Sequence, residues 1–176
     1  MGLSMIVTAY ADGWISLPGR LARCALGKGG VVPAGAKREG DHASPAGLWP
    51  LRRVLWRPDR GEAPRTRLRH APIAPDDGWC DAPGDGAYNR PVKLPYPTSA
   101  EPLWREDRLY DLVVVLGYND DPVVAGAGSA IFAHLASPDL DPTEGCVALT
   151  ATDLIHLLAN ARPGDALRIS GQARGS

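Results

Sequence analysis

The run Leu109–Tyr118, LYDLVVVLGY, constrains this chain more than any other stretch. Its leucines and valines follow one another without the alternation of a half-exposed strand, and the run ends in glycine. That is the pattern of a short strand buried on both faces. Such a strand needs neighbours on each side and a covering layer on each face, so the rest of the chain must build a sheet around it. Asn119-Asp120-Asp121-Pro122 marks the turn after it. Ser129–Leu135 then returns as a second strand and carries His134 at its end.

Composition points the same way. The chain has 20 glycines and 17 prolines in 176 residues, about 21% against an average near 12%. Turns this frequent favour many short strands over a helical bundle. Ile6–Tyr10 and Trp14–Leu17, separated by Ala-Asp-Gly, read as a hairpin, and Leu21–Leu26 reads as a third strand. The Gly27-Lys28-Gly29-Gly30 cluster lacks the spacing of a phosphate loop and reads as a turn. Lys37–Pro45 is a polar loop and Leu48–Trp56 a strand. The arginines at 52, 53, 57, 60, 65, 67 and 69 form either an anion-binding face or a charged, solvated edge, with the second favoured. Ala71–Leu103 is long and Pro-rich. It also carries Trp79, Tyr88 and Tyr96, with Trp104 just beyond, so it reads as an ordered excursion forming one wall of a cleft. One helix is expected, from Thr150 to about Ala161. Thr150 and Asp153 cap it, Leu154, Leu157, Leu158 and Ala161 form its apolar stripe, and Pro163-Gly164 stops it. Ala166–Ile169 closes as a last strand. With no repeat and no linker, residues 1–176 read as a single domain, and an apolar content of 44% suffices for a core.

Chemistry concentrates between Gly126 and Leu149. Cys146 follows His134 by twelve residues (146 − 134), across a loop, SPDLDPTE, that holds two prolines and three acids. A strand ending in histidine, a stiff loop and a Gly-Cys step into Val147–Leu149 would set imidazole and thiol side by side. A cysteine nucleophile needs that pairing, because the thiolate is the reactive form and the imidazole takes its proton. On residue types alone, Cys146 also reads as a small buried hydrophobe and His134 as a core histidine.

The segment His134 … Thr143-Glu144-Gly145-Cys146-Val147 resembles the signature of the YkuD-type L,D-transpeptidases, bacterial enzymes that cross-link peptidoglycan: a histidine, a spacer, then Ser/Thr-His-Gly-Cys and an apolar residue. Ser44-Pro45-Ala46-Gly47, after Lys37-Arg38-Glu39-Gly40-Asp41, resembles the Thr-Pro-x-Gly element upstream in that family. The stretch from Gly78-Trp79-Cys80-Asp81 through Ala87-Tyr88-Asn89-Arg90 is similar as well. The resemblance spans roughly residues 20–170. Here Glu144 stands where the family has a second histidine, and the spacer is short.

The resemblance implies a mainly β fold, a sandwich or curved sheet with one helix after the cysteine. It implies Cys146 as nucleophile and His134 as base, the latter oriented by a nearby backbone carbonyl such as that of Leu135. Gly145 would let the backbone approach the reacting carbonyl, with N–H groups near Gly145 and Cys146 as an oxyanion hole. Thr143 and Glu144 would line the approach, Glu144 facing a substrate ammonium or plain solvent. Asn89 and Arg90 are candidates for a substrate carboxylate, followed by Asp81 and Lys37. The implied activity is acyl transfer from a donor stem peptide through a Cys146 thioester to an acceptor amine, giving cross-links of 3-3 type or, from the altered motif, 1-3 type. An L,D-carboxypeptidase or amidase, or a non-catalytic peptidoglycan-binding module, are the alternatives. Peptidoglycan stem peptides are the implied partners and carbapenems the implied inhibitors, with no cofactor.

Several classes are disfavoured. A net charge of −1 gives no electrostatic basis for nucleic-acid binding, and no window approaches the roughly 20 apolar residues of a membrane span. His134, Cys146, His156 and Cys80 offer metal-ligand types without close-paired spacing, so no metal is expected; His156 is expected on the exposed helix face. Three cysteines make no disulfide framework. Cys24 and Cys80 read as separate thiols, with a disulfide between them as the alternative. The opening MGLSMIVTAYADGWISL lacks the basic and apolar regions of a signal peptide. The substrate implies an envelope location, while the absence of a visible leader leaves a cytoplasmic one open. A monomer or weak edge-strand dimer is expected.

Overall fold

The computed structural model of the protein describes residues 4–176; the first three residues of the opening segment lie outside the described residues. Its strands are β1 (Ile6–Tyr10), β2 (Trp14–Leu17), β3 (Arg20–Arg23), β4 (Val31–Pro33), β5 (Ser44–Trp56), β6 (His70–Pro72), β7 (Asp77–Cys80), β8 (Pro91–Lys93), β9 (Ala100–Pro102), β10 (Leu112–Leu116), β11 (Phe132–Leu135), β12 (Val147–Leu149) and β13 (Ala166–Ser170), with the helix α1 (Ala151–Asn160) between the last two. The main sheet runs β12-β11-β10-β5-β13-β1-β2-β3, with β4 and β6 also paired to β5; β8-β7-β9 form a separate small sheet.

The main sheet curls until its ends meet. Beyond β3, Ala25 exchanges both backbone hydrogen bonds with Ala148 of β12, each 2.9 Å long. Thr143 and Leu26–Lys28 continue the contact, with Lys28 N–H on the Thr143 carbonyl and Thr143 N–H on that of Leu26. The chain itself thus occupies the outer edge of β12. A nearly closed barrel results, and closure is the general remedy for an unpaired edge. The glycine cluster sits at this seam. A Cβ on Gly27 would come within 2.4 Å of the His42 carbonyl, so only glycine admits that approach.

The double burial expected of the Leu/Val run is present. All five residues of β10 are buried. Leu112, Val114 and Leu116 point into the main core with Val7, Ile15 and the leucines of α1. Val113 and Val115 point the other way, into a second core with Leu55, Ile73, Trp79, Leu103, Tyr110, Phe132 and Cys146. The strand is shorter than the apolar run, because Arg108–Tyr110 form a 3₁₀ turn whose Leu109 N–H is capped by Asp107. α1 agrees with its sequence: Thr150 is the N-cap, its hydroxyl accepting from Asp153 N–H, and Leu154, Leu157 and Leu158 are fully buried. Each such leucine contributes about 2 kcal/mol by burial.

Two expectations need amending. Ser44–Ala46, assigned to a loop and its border, begin the long strand β5, pairing with Val31–Pro33. Ser129–Ile131, assigned to a strand, lie outside the ladder, and Ala130 takes a positive φ of 52°. The excursion 71–103 is ordered as expected and contributes the small sheet.

Candidate active site

β11 and β12 run parallel, with His134 beside Ala148. Side chains alternate along a strand, so Cys146, two residues before Ala148, projects to the same face as His134. Ala148 presents only a methyl between them. All three line one cavity of about 470 Å³, so the two residues singled out in the sequence share a single site.

Cys146 is 6% exposed. Its Sγ donates to the Ala130 carbonyl (3.2 Å) and accepts from Phe132 N–H (3.4 Å). Burial pushes the thiol up to about 12, partly offset by the Phe132 N–H. His134 is 5% exposed, and burial brings its imidazole down from 6.5 to about 4. Its Nδ1 lies 2.8 Å from the Leu135 carbonyl. A carbonyl only accepts, so Nδ1 carries the proton and Nε2 is left as the basic nitrogen. At neutral pH the pair rests as thiol and neutral imidazole.

The turn before Cys146 is fixed from within. Thr143 Oγ1 donates to the Cys146 carbonyl (2.6 Å) and accepts from Gly145 N–H (3.1 Å). Thr143 therefore braces the turn before Cys146, and its hydroxyl takes the Gly145 N–H that was expected in an oxyanion hole. Gly145 has φ 137°, and a Cβ there would lie 2.8 Å from the Ala43 carbonyl. Glycine is thus required by close packing against the segment just before β5. The Gly145 carbonyl accepts from the buried Ser44 hydroxyl (2.7 Å), which also takes Gly27 N–H. Glu144 stands at the cavity rim with its side chain 70% exposed, paired with Lys28 at 2.8 Å and with His42. The Lys28 hydrogen bond holds its carboxyl below the usual range.

The opposite wall comes from residues the sequence reading largely passed over. Tyr110 packs edge-on to His134, ring centroids 5.3 Å apart, and donates to Glu101 (2.6 Å). Burial raises the Tyr110 phenol well above its ordinary value and, first among several causes, raises the Glu101 carboxyl too. Arg105 grips Asp107 with two hydrogen bonds and lies 3.6 Å from Glu101. Glu39 accepts from Ser129 (2.7 Å) and Tyr88. Lys37, 3% exposed, reaches the cavity but spends its ammonium on Asp41 (2.7 Å) and the Arg38 carbonyl. Asp81 lines the cavity as well, and its Oδ1 is buried without a hydrogen-bond partner. Tyr110, Glu101 and Arg105 were not singled out from the sequence; the local signals it holds for them are an aromatic at the mouth of a buried strand and the charge pattern Glu101…Arg105-x-Asp107.

Asn89 and Arg90, expected at the site, are not brought into it. Asn89 is buried beyond the cavity, its carboxamide wholly engaged with Trp79, Ala130, Tyr118 and Asn119. Arg90 is exposed and donates to the Asp120 carbonyl. Neither lines the cavity of Cys146 and His134: the Asn89 carboxamide is fully engaged, and Arg90 spends one donor on Asp120. His156, expected to face solvent, is half-buried on α1 against the Pro18 carbonyl (2.7 Å). Cys24 and Cys80 are separate free thiols. Arg52, Arg57 and Arg60 pair with Asp120, Asp59 and Asp111, so these members of the arginine run serve the fold. Among the described residues no helix is long and apolar enough to cross a membrane.

Residues 5–169 match the family model described as YkuD, L,D-transpeptidase catalytic domain. No curated protein matches the chain. Among solved structures, an L,D-transpeptidase from Mycobacterium smegmatis is similar at 14% identity with a TM-score of 0.46; the match covers 96% of this chain and 59% of that one.

Proposed function

The chain belongs to the YkuD family of L,D-transpeptidase catalytic domains, and from that premise we propose that it transfers peptidoglycan stem peptides through a thioester on Cys146. The observation that carries this reading is the shared cavity of Cys146 and His134, with the His134 Nδ1–H fixed on Leu135 so that Nε2 serves as the base. Such an orienting contact does the work of a triad's third member without a carboxylate.

Cys146 Sγ attacks the carbonyl carbon of the bond between an L-centre and the terminal D-residue of a donor stem, while the thiol proton passes to His134 Nε2. The tetrahedral intermediate collapses with cleavage of C–N. The imidazolium returns the proton to the departing amine, and a D-amino acid leaves. The amine of a second stem then attacks the thioester, gives its proton to Nε2, and the sulfur is released and reprotonated. Burial disfavours a standing ion pair, so proton transfer accompanies attack. With Gly145 N–H held by Thr143, the nucleophile's own backbone N–H, that of Cys146, is the group left to serve as the oxyanion donor.

The carboxylates of Glu39, Asp81 and Glu101 suit an amine-bearing substrate group, because Lys37 spends its charge on Asp41 and Arg105 divides its own between Asp107 and Glu101. Asp81 adds a carboxylate with one oxygen that has no hydrogen-bond partner. Glu144, already held by Lys28 and His42, shapes the rim. Peptidoglycan as substrate places the working protein in the cell envelope, and a carbapenem would acylate Cys146 as a substrate mimic.

Incubation with a disaccharide-tetrapeptide tests the reading. Cross-linked dimers released with a D-amino acid, absent with Cys146→Ala, are the expected products, and their fragmentation distinguishes 3-3 from 1-3 linkage. Shortened monomers without dimers would replace it with an L,D-carboxypeptidase. Binding that survives Cys146→Ala, without turnover by the wild type, would replace it with a binding module.

A further inference from the structure

The sulfur of Cys146 is held by a three-residue turn. The carbonyl of Ala130 accepts its S–H at 3.2 Å, and the N–H of Phe132 donates to it at 3.4 Å. Between them, the Ile131 carbonyl accepts from Leu116 N–H on β10. Ala130 adopts φ 52°, a left-handed conformation that alanine avoids. A residue stays in such a conformation only where its surroundings over-determine it.

Here the determinant is a single side chain on another loop. Asn89 Oδ1 accepts from Ala130 N–H (3.0 Å) and from the Trp79 indole (2.9 Å). Its Nδ2 donates to the carbonyls of Tyr118 (3.1 Å) and Asn119 (2.7 Å). A carboxamide has two acceptor and two donor positions, and all four are filled. Two of the anchors belong to the end of the β10 segment and one to β7, so the oxygen facing Ala130 cannot turn away. Asn89 itself sits at φ 55°, which asparagine tolerates better than other branched or long side chains.

We propose that Asn89 is a positioning residue for Cys146: its carboxamide locks the Ala130 peptide so that the Ala130 carbonyl and the Phe132 N–H hold the sulfur in the cavity. The proposal rests on Cys146 being the nucleophile. Asn89 touches neither substrate nor sulfur and acts through the turn alone. The charged and titratable groups around the thiol are His134, Tyr110, Glu101, Lys37 and Arg105. All of them remain when Asn89 is replaced.

Asn89→Gly removes the carboxamide while permitting the positive φ. The pH midpoint of Cys146 alkylation by iodoacetamide is followed peptide by peptide, so that Cys24 and Cys80 are resolved, together with the rate of acylation by a carbapenem per folded molecule. Losing the Ala130 acceptor eases ionisation while losing the Phe132 donor opposes it, so the midpoint shifts from the wild-type value by about half a unit where one loss outweighs the other, the size of one neutral hydrogen bond. Acylation slows about tenfold because the sulfur is no longer held on line. Leu157→Ala, a core truncation in α1, serves as the control for instability alone and leaves the midpoint where it was. Acylation per folded molecule that stays at the wild-type rate in Asn89→Gly overturns the proposal, whichever way the midpoint moves. Should that variant not fold, amide exchange in the wild type decides: the Ala130 N–H is protected like those of β10, and exchange at a loop-like rate overturns the proposal. Failure of the nucleophile assignment looks different, because wild-type Cys146 would then acquire no carbapenem adduct at all.

Discussion

The two walls of the cavity are built by different means. One is made of strand: His134 on β11, Cys146 at the mouth of β12, and the Thr143–Gly145 turn braced against Ser44 of β5. The other is made of loop and small sheet: Glu39, Asp81, Glu101 and Arg105, converging from three separate segments around Tyr110. The strand wall is backbone-paired and buried, and in the proposed mechanism it fixes the groups that react. The loop wall is held by side-chain pairs, and it presents charge to whatever enters. Chemistry that tolerates little misplacement sits on the sheet, while selection sits where substitution is cheaper.

If that division holds, changes to the strand wall alter reaction itself, and changes to the loop wall alter which amine is used. Cys146→Ala is expected to lower dimer formation about 10⁴-fold or more, assayed by chromatography of muropeptides, since the covalent route is lost. His134→Gln lowers it by about 10²- to 10⁴-fold, the usual worth of a general base. The same variant carries a stability signature. Burial depresses the folded pKa of His134 from 6.5 to about 4, so the unfolded chain takes up the proton first as pH falls. The wild type accordingly loses up to about 3 kcal/mol of stability between pH 6.5 and 4, and His134→Gln loses less, as urea titrations at the two pH values would show.

Gly145→Ala forces a Cβ against the Ala43 carbonyl at a positive φ and is expected to cost about 2–3 kcal/mol, read from the urea midpoint. On the loop wall, Asp81→Asn raises the KM for the acceptor amine about tenfold, as loss of one charge-assisted hydrogen bond would. It leaves acylation of Cys146 by a carbapenem unchanged. A change in acylation with no change in acceptor KM would break the comparison. Glu144→Gln, at the exposed rim, shifts stability by less than about 0.5 kcal/mol in thermal melts.

The same contrast explains what the sequence disclosed. β10 was legible because its continuous Leu/Val run has no other economical use, and α1 because Thr150, Asp153 and the leucine stripe agree on one helix. His134 and Cys146 were legible because strand, loop and Gly-Cys step lie on one short stretch of chain. Glu39, Glu101 and Arg105 were not, since their meeting depends on how 39, 101 and 105 are folded onto β11, and no local periodicity encodes that. Asn89 and Arg90 show the reverse: residue types suited to a carboxylate point to the site, yet neither lines the cavity, Asn89 being engaged with Trp79 and Ala130 and Arg90 donating to Asp120. Ala130 was read as strand from its apolar neighbours, and a contact from Asn89, 41 residues earlier, overrides that local preference.

The most direct test of the central claim is intact-mass spectrometry of the wild type and Cys146→Ala after incubation with a carbapenem. A single adduct on the wild type, absent from the variant and mapped to the Cys146 peptide, is the result predicted by a thiol nucleophile served by His134. No adduct on the wild type, or an adduct of equal yield on both proteins, would contradict it.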